Sequence, residues 1–137
     1  MSRLRDRSQG LWSGAVPADV SSVMFEFGPL EEVAADLAFI EGFANVTALH
    51  TEAGLVLFDT GSQMTAPLIA GQLHGWRARP VHTAVYTHGH VDHVMGMAAI
   101  DAAAALGGAP RPHVIAHHAV AARFARYRLT AGWNAAI

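Results

Sequence analysis

Residues 55–61 read LVLFDTG, and this short stretch decides the fold. Its first four residues, Leu55 to Phe58, are apolar without interruption, which is typical of a β-strand buried on both faces. The last three residues, Asp59 to Gly61, favour a turn, because Asp and Gly tolerate the backbone conformations that turns require. The stretch therefore predicts a central strand of a sheet, with a further layer packed on each side.

Strands and helices are predicted on both sides of this stretch. Two short apolar runs separated by Gly42 lie upstream, and a turn at residues 52–54 leads into the central strand. The other predicted elements are strands at 23–27, 36–42, 45–51, 81–86 and 113–116, and helices at 65–76, 94–106 and 118 to about 129. Strands come first and then alternate with helices. This order predicts the α/β class, in an α+β layered architecture with a mixed sheet.

A cluster of potential metal ligands follows the predicted strand at 81–86. Residues 87–93 read THGHVDH, which contains the spacing H-x-H-x-D-H. The four ligand candidates are His88, His90, Asp92 and His93. Gly89 favours a sharp turn that lets the first two histidines face one point, while the aspartate and the last histidine begin a helix and face a second point. Imidazole and carboxylate suit Zn²⁺, and also Fe or Mn. Two such ions, about 3.5–4 Å apart, can share one hydroxide.

The composition supports a metal site and excludes other kinds of site. The chain has nine histidines and no cysteine, so disulfides and thiolate ligands are excluded and His and carboxylates must hold any metal. Chance gives on the order of 0.002 matches to this spacing at this composition, which makes solvated surface histidines the weaker interpretation. The formal net charge of -2 gives no reason to expect a nucleic-acid partner.

On this motif, the sequence resembles the metallo-β-lactamase superfamily. The resemblance implies an αββα sandwich with the site along one edge of two packed sheets, of which this chain supplies about the first half. It makes His88 and His90 ligands of a first zinc ion, and Asp92 and His93 ligands of a second. It also implies that Asp92 is catalytic, since it positions the attacking hydroxide, and that Asp59 lies behind the ligands and orients one of them. The competing interpretation of Asp59 is a plain turn-forming residue.

Several segments narrow the resemblance to the alkylsulfatase-like branch. They are Asn45-Val46-Thr47, LVLFDTG at 55–61, Arg79-Pro80-Val81, YTHGHVDHVMG at 86–96 and RLTAGWN at 128–134. The similarity covers about residues 36–137, and it implies hydrolysis of a small-molecule alkyl sulfate ester to an alcohol and sulfate. Hydrolysis of another ester, a thioester or a lactone stays an alternative, because substrate selectivity does not follow from fold analogy.

The resemblance also implies three further metal ligands downstream of the motif, and one of them is a carboxylate that bridges the two metals. After Asp101 the sequence contains no Asp or Glu. We therefore expect residues 23–137 to be the N-terminal part of the domain, and the chain to be a fragment, a truncated product or one half completed by another chain or a second copy. A truncated, non-catalytic module is the third functional interpretation.

Residues 1–22 are rich in Arg, Ser and Gly and predict an irregular or disordered N-terminal arm.

The remaining polar clusters are expected to be solvated. His117 and His118 lack the spacing of a ligand pair, and a solvated or capping role is expected for them. The three arginines of the last predicted helix are expected to form a solvated face rather than to contact an anionic substrate. These arginines are Arg123, Arg126 and Arg128. No apolar segment follows the basic N-terminus and no run approaches about 18 apolar residues, so we expect a cytoplasmic protein without a membrane span.

Overall fold

A computed structural model describes residues 3–19 and 27–134 of the chain. The helices are α1 (Arg3–Ser13), α2 (Ala66–Trp76), the single turn α3 (Val91–Val94), α4 (Met97–Leu106) and α5 (Ala119–Asn134). The strands are β1 (Glu31–Ala34), β2 (Leu37–Ile40), β3 (Val46–Thr51), β4 (Gly54–Phe58), β5 (Val81–Val85) and β6 (His113–Ile115). The fold is of the mixed α/β class, as the sequence predicted.

The six strands form one mixed sheet in the order β1-β2-β3-β4-β5-β6. Strands β1 to β4 pair antiparallel, whereas β4, β5 and β6 pair parallel. Parallel neighbours need a crossover connection, which α2 provides between β4 and β5, and α3 with α4 provides between β5 and β6. Strand β4, which contains the LVLF run, therefore lies where the antiparallel half of the sheet meets the parallel half.

One face of the sheet carries the main hydrophobic core. Leu55 and Leu57 of β4 are 1% and 0% exposed. They belong to one cluster with Ile69 and Leu73 of α2 and Ile100 of α4. Burying side chains of this size contributes about 1.5–3 kcal/mol each, so packing against the two helices stabilises β4 on this face.

The opposite face of β4 is only partly covered. Val56 is half-buried, and Phe58 is 40% exposed. In the sheet register, Phe58 lies level with Val85, and Val85 lies level with Ile115, which is exposed as well. The prediction of burial on both faces is therefore right for the helix face. It is wrong for the other face, where the described part of the chain leaves Phe58 open to water.

Helix α1 corrects the prediction of an irregular N-terminal arm for residues 3–13. Residues 14–19 are in no helix or strand, and residues 1, 2 and 20–22 lie outside the described residues. Arg7 Nη1 and Arg3 Nη2 lie 2.8 Å and 3.1 Å from the Glu41 carboxylate, directly after β2. The Glu31 carboxylate of β1 accepts a hydrogen bond from the Leu4 N–H at 3.2 Å, near the helix start, where backbone donors lack intrahelical partners. Glutamates that lie 27 and 38 positions away in the sequence thus stabilise a helix that its own sequence only weakly favours.

The other predicted elements agree with the structure within a few residues. Strands β2 to β6 and helices α2, α4 and α5 overlap their predicted counterparts. Strand β1 has none, because its sequence EEVA lacks an apolar alternation. The strand predicted at 23–27 lies outside the described residues except for Phe27, which is in no strand. No helix in the described part of the chain is both long and apolar enough to cross a membrane.

Candidate metal centre

The predicted ligands lie at one edge of the sheet, where β4 and β5 end. The two strands are parallel, so their carboxyl ends meet at the same edge and the loops after them are neighbours. The Asp59 N–H donates a hydrogen bond to the Val85 carbonyl at 2.9 Å, which joins the two strand ends. This pairing brings Asp59 beside Thr87, although the two residues are 28 positions apart in the sequence.

The loop after β4 adopts a backbone that few residues tolerate. Asp59 has a φ of 61° and Gly61 a φ of 75°, both in the left-handed region. For a residue with a Cβ this conformation costs roughly 1–2 kcal/mol, although Asp visits it more readily than most. Gly96 allows α4 to begin directly against this loop, since a Cβ there would lie 1.9 Å from the Thr60 carbonyl oxygen. Only glycine therefore fits at position 96.

Thr60 joins this loop to the short helix α3. It is fully buried, its N–H donates to the His93 carbonyl at 2.7 Å, and its hydroxyl donates to the same carbonyl at 3.1 Å. Helix α3 begins after His90 and contains Asp92 and His93. Thr60 therefore fixes the backbone position of His93, and with it the end of the ligand motif.

The four predicted ligand side chains come together in the structure. The ring centroid of His88 lies 4.6 Å from that of His90 and 4.1 Å from that of His93. Asp92 lies beside the last of these rings, with its Oδ2 atom 3.5 Å from His93 Nε2. The motif thus forms a compact cluster of three imidazoles with one carboxylate at its side.

A chain of hydrogen bonds runs behind this cluster and is centred on the carboxylate of Asp59. This residue is only 4% exposed. Asp59 Oδ1 accepts the Thr87 N–H at 2.8 Å, and Oδ2 accepts the Thr87 hydroxyl at 2.7 Å. Oδ2 also lies 2.7 Å from His93 Nδ1. The Thr87 hydroxyl oxygen, in turn, lies 3.0 Å from His88 Nδ1. One buried carboxylate therefore connects two of the three rings.

These hydrogen bonds determine the tautomer of two histidines. An ionised carboxylate only accepts hydrogen bonds, so His93 Nδ1 must carry the proton that faces Asp59. The Thr87 hydroxyl gives its single proton to Asp59, so it accepts from His88, and His88 Nδ1 must carry a proton too. In a neutral ring the other nitrogen, Nε2, then keeps its lone pair. Both rings therefore offer Nε2 as a metal ligand, while Asp59 and Thr87 hold them in place.

The same residues suggest a different ligand set, which the hydrogen bonds disfavour. One potential ligand atom from each of Asp59, His88 and His93 lies within 4.8 Å of the others. The two oxygens of Asp59, however, already accept three hydrogen bonds. A metal at Asp59 would compete with these partly buried donors for the same oxygens. These three hydrogen bonds therefore disfavour Asp59 as a ligand.

Tyr86 supports the cluster from the interior. Burial raises the pKa of its hydroxyl, and the negative charges of Asp101 and Asp59 raise it further, so the hydroxyl stays protonated at neutral pH. Its side chain packs in a second, smaller core cluster with Val94 and Val120. This cluster anchors α3 and the start of α5 to β5, and it fixes the strand end from which the ligand motif departs.

A cleft of about 330 Å³ opens beside His88 and His90. It is lined by the turn at residues 87–90, by His117 just before α5, and by Ala119, Val120 and Arg123 of α5. The predicted solvated or capping role of His117 is confirmed, because its exposed ring accepts the N–H of Ala119, the first residue of α5, at 3.2 Å. Arg123 was predicted to be solvated, and the structure instead places it, partly buried, in the wall of this cleft. No local pattern signals this position, because it depends on where α5 crosses the edge of the sheet.

Comparisons with known proteins agree with this arrangement. A family model described as the metallo-beta-lactamase superfamily matches residues 40–130. The sec-alkyl sulfatase PisA1 of Pseudomonas sp., in a double-mutant form, is 32% identical over 67% of this chain and 15% of its own, with a TM-score of 0.55. A metallo-beta-lactamase of Cronobacter sakazakii with a HARLDQ motif is 23% identical over 79% of this chain and 40% of its own, with a TM-score of 0.61. The subclass B3 metallo-beta-lactamase BJP-1 of Bradyrhizobium japonicum is 20% identical over 66% of this chain and 34% of its own, with a TM-score of 0.52. The comparison with curated proteins found no match.

The chain spans 15% to 40% of the length of these three solved structures. The two lactamases show the shared fold, and the six-stranded sheet with its helices corresponds to part of that fold, as predicted. The family model extends from the end of β2 into α5 and includes both the loop at Asp59 and the histidine motif. It covers well over half of the sequence, and the chain therefore belongs to the metallo-beta-lactamase superfamily.

Proposed function

We propose that this chain carries the metal-binding part of a hydrolase, with zinc held by the four motif residues His88, His90, Asp92 and His93. One observation carries the proposal. The hydrogen bonds of Asp59 and Thr87 hold two of the histidines in the tautomer that leaves Nε2 free. Burying a carboxylate is costly unless it is well paired, and a plain turn would not need one that also connects two imidazole rings. Orientation of metal ligands explains this arrangement.

The donor set fits zinc, and it also fits iron or manganese. Imidazole and carboxylate suit all three ions, and the chain has no cysteine that would favour a thiolate site. When bound, zinc would supply a water molecule whose pKa is lowered toward about 7, and hence a nucleophile at neutral pH. The chain's own contribution is to hold the rings and to keep Nε2 of His88 and His93 unprotonated. We propose two ions per complete site.

Asp92 is the motif residue that we place next to the reacting atoms. Its side chain is 25% exposed, whereas that of Asp59 is 6% exposed and accepts three hydrogen bonds. A partly exposed carboxylate can accept a hydrogen bond from a water molecule at the cluster. We therefore propose that Asp92 is both a ligand and the group that orients the attacking water, and that Asp59 acts only through the histidines.

For the whole protein, we propose hydrolysis of a small-molecule alkyl sulfate ester. The support is the 32% identity to the sec-alkyl sulfatase PisA1, together with the segments around Asn45 and the motif that resemble this branch. Another ester, a thioester or a lactone is the alternative substrate. We also propose that a second chain, or a second copy of this one, supplies the further metal ligands. The domain is proposed to begin near residue 23, and the protein to be cytoplasmic.

Metal content tests the proposed ligands. Protein purified without chelator is dialysed against metal-free buffer, and zinc, iron and manganese are measured by mass spectrometry. The His88→Ala/His90→Ala variant should lose most of the metal that the unaltered chain holds. The matched control is His82→Ala/His113→Ala, which removes two rings whose centroids lie 5.5 Å apart near the starts of β5 and β6. These strand starts lie at the opposite edge of the sheet, so the control should keep its metal.

The outcomes separate the parts of the proposal. Equal metal loss in the two double variants, or equally little metal in all three proteins, would rule out the motif as the metal site. The substrate is tested on the whole protein by following sulfate release from a medium-chain alkyl sulfate. Brisk turnover of a lactone or thioester without sulfate release would replace the alkyl sulfate with one of the alternative substrates.

A further inference from the structure

The cleft beside His88 and His90 has the chemistry of an anion site. Arg123 is the charged residue in its wall, and the described residues that line it include no Asp or Glu. The lining is otherwise backbone, imidazole and small side chains of the 87–90 turn and the start of α5. A concave site with a cation and no carboxylate attracts a negatively charged group.

Arg123 lies against the turn at residues 87–90 and is held by Tyr127. Its stem packs against Gly89, where a Cβ would lie only 3.2 Å from both Cβ and Cγ of Arg123. Its Nε–H donates to the Tyr127 hydroxyl at 3.0 Å, and its guanidinium carbon lies 5.3 Å from the centre of the Tyr127 ring. Within residues 3–19 and 27–134, the structure gives its two terminal nitrogens no acceptor. An arginine fixed at Nε presents those nitrogens as a preorganised fork, the geometry that binds oxyanions in a bidentate manner.

His117 and the N-terminal start of helix α5 add to the positive character of the same cleft. His117 Nδ1 accepts the Ala119 N–H at 3.2 Å, so the proton of the neutral ring lies on Nε2, which is a donor. The 16-residue helix α5 begins at Ala119, in the wall of the cleft. The N–H groups of Ala119 and Val120 already donate to Nδ1 and to the carbonyl of His117, so the helix start acts here through its dipole. The start of a helix carries a partial positive charge that favours an anion.

We infer that this cleft is the subsite for the anionic head of the substrate, with Arg123 as the residue that selects it. The ligand class is a tetrahedral oxyanion on an ester oxygen, and the source we commit to is a sulfate monoester. This inference rests on the proposed function, because it places the charged head beside the two histidines proposed as zinc ligands. It adds Arg123 as a specificity residue outside the ligand motif. Arg123 lies in α5, about 30 positions after the end of the motif.

Anion binding tests the inference without any turnover. Methyl sulfate is titrated into the metal-free chain, so that it cannot ligate a metal, and binding is followed by NMR shifts of the backbone amides of residues 87–90 and 119–123. The Arg123→Gln variant should bind methyl sulfate at least about tenfold more weakly, since hydrogen bonds to charged groups contribute about 1.5–3 kcal/mol. Arg123→Lys keeps the charge without the fork and should lose part of the affinity. The control Arg126→Gln changes an exposed arginine of the same helix and should bind as the unaltered chain does.

The outcomes distinguish this inference from the proposed function. If Arg123→Gln keeps its metal but binds methyl sulfate as tightly as the control, the subsite is wrong and the metal site stands. If the chain holds no metal and methyl sulfate binding still depends on Arg123, the metal site is wrong and the subsite stands. Tighter binding of methyl phosphate or acetate than of methyl sulfate would overturn the sulfate assignment.

Discussion

Replacing Asp59 with asparagine tests the hydrogen-bond chain behind the ligand cluster. Asparagine is the same size and tolerates the left-handed backbone at this position, where φ is 61°. The Asp59→Asn variant should therefore keep the loop after β4. Its side-chain amide, however, has one acceptor oxygen where the carboxylate has two, and its nitrogen only donates.

Either orientation of the new amide breaks the chain. With its nitrogen toward the Thr87 N–H, two donors face each other in place of a bond of 2.8 Å. With its nitrogen toward His93, the ring must present an acceptor on Nδ1, and the proton moves to Nε2, the nitrogen proposed to bind metal. Loss of a partner behind a metal ligand typically lowers metal affinity by about 10–100-fold. We expect a loss of zinc affinity in this range.

Zinc affinity is measured by competition with a chromophoric chelator, and long-range ¹H–¹⁵N NMR spectra show which ring nitrogen carries the proton. Asp36→Asn is the matched control. Asp36 also has a positive φ, 57°, and its carboxylate lies 2.9 Å from His50 Nδ1, but it is exposed in the turn between β1 and β2. It should leave zinc affinity unchanged. Unchanged affinity in Asp59→Asn, with both rings still protonated on Nδ1, would refute the role given to Asp59.

Four further substitutions, two of which form a matched pair of glycine replacements, test other parts of the structure. Gly96→Ala should lower the melting temperature, because the new Cβ would lie 1.9 Å from the Thr60 carbonyl oxygen and overpacking costs about 1–3 kcal/mol. Gly71→Ala, whose Cβ meets nothing within 4 Å, should instead stabilise α2 by roughly 0.5–1 kcal/mol, and equal melting temperatures would contradict both expectations. Glu41→Gln should speed amide hydrogen exchange throughout α1, since it removes the two arginine ion pairs; unchanged exchange would show that other contacts hold the helix. Phe58→Thr should reduce concentration-dependent self-association in sedimentation experiments, because Phe58 is 40% exposed on the open sheet face; a chain that stays monomeric at every concentration would argue against association through this face.

The elements that the sequence predicts well are those with a local cause. Strand β4 follows from four consecutive apolar residues, and the ligand cluster follows from the spacing of residues 88–93, which needs only one turn to converge. Helix α1 and strand β1 are different, because Glu31 and Glu41 stabilise α1 from 27 to 38 positions away. A pattern read over a short window contains no information about such partners.

The same distinction applies within the site. Contact of Asp59 with the motif histidines is predictable only through the resemblance to a family, since its sequence context also fits a simple turn. No role was predicted for Thr87, yet its hydroxyl links Asp59 to His88. The one available signal is its position directly before the first motif histidine. Arg123 could not be placed from sequence, because its contact with Gly89 depends on tertiary packing.

The shared anchor of His88 and His93 has a thermodynamic consequence. The resemblance assigns these rings to different metal ions, yet both are oriented through one carboxylate and one hydroxyl. Ordering that carboxylate for the first ion also orders it for the second, so the two binding equilibria are linked. Linkage of this kind is reciprocal, and each ion should raise the affinity of the other by the same factor. On this account the Asp59–Thr87 pair would couple the two ions of the proposed site.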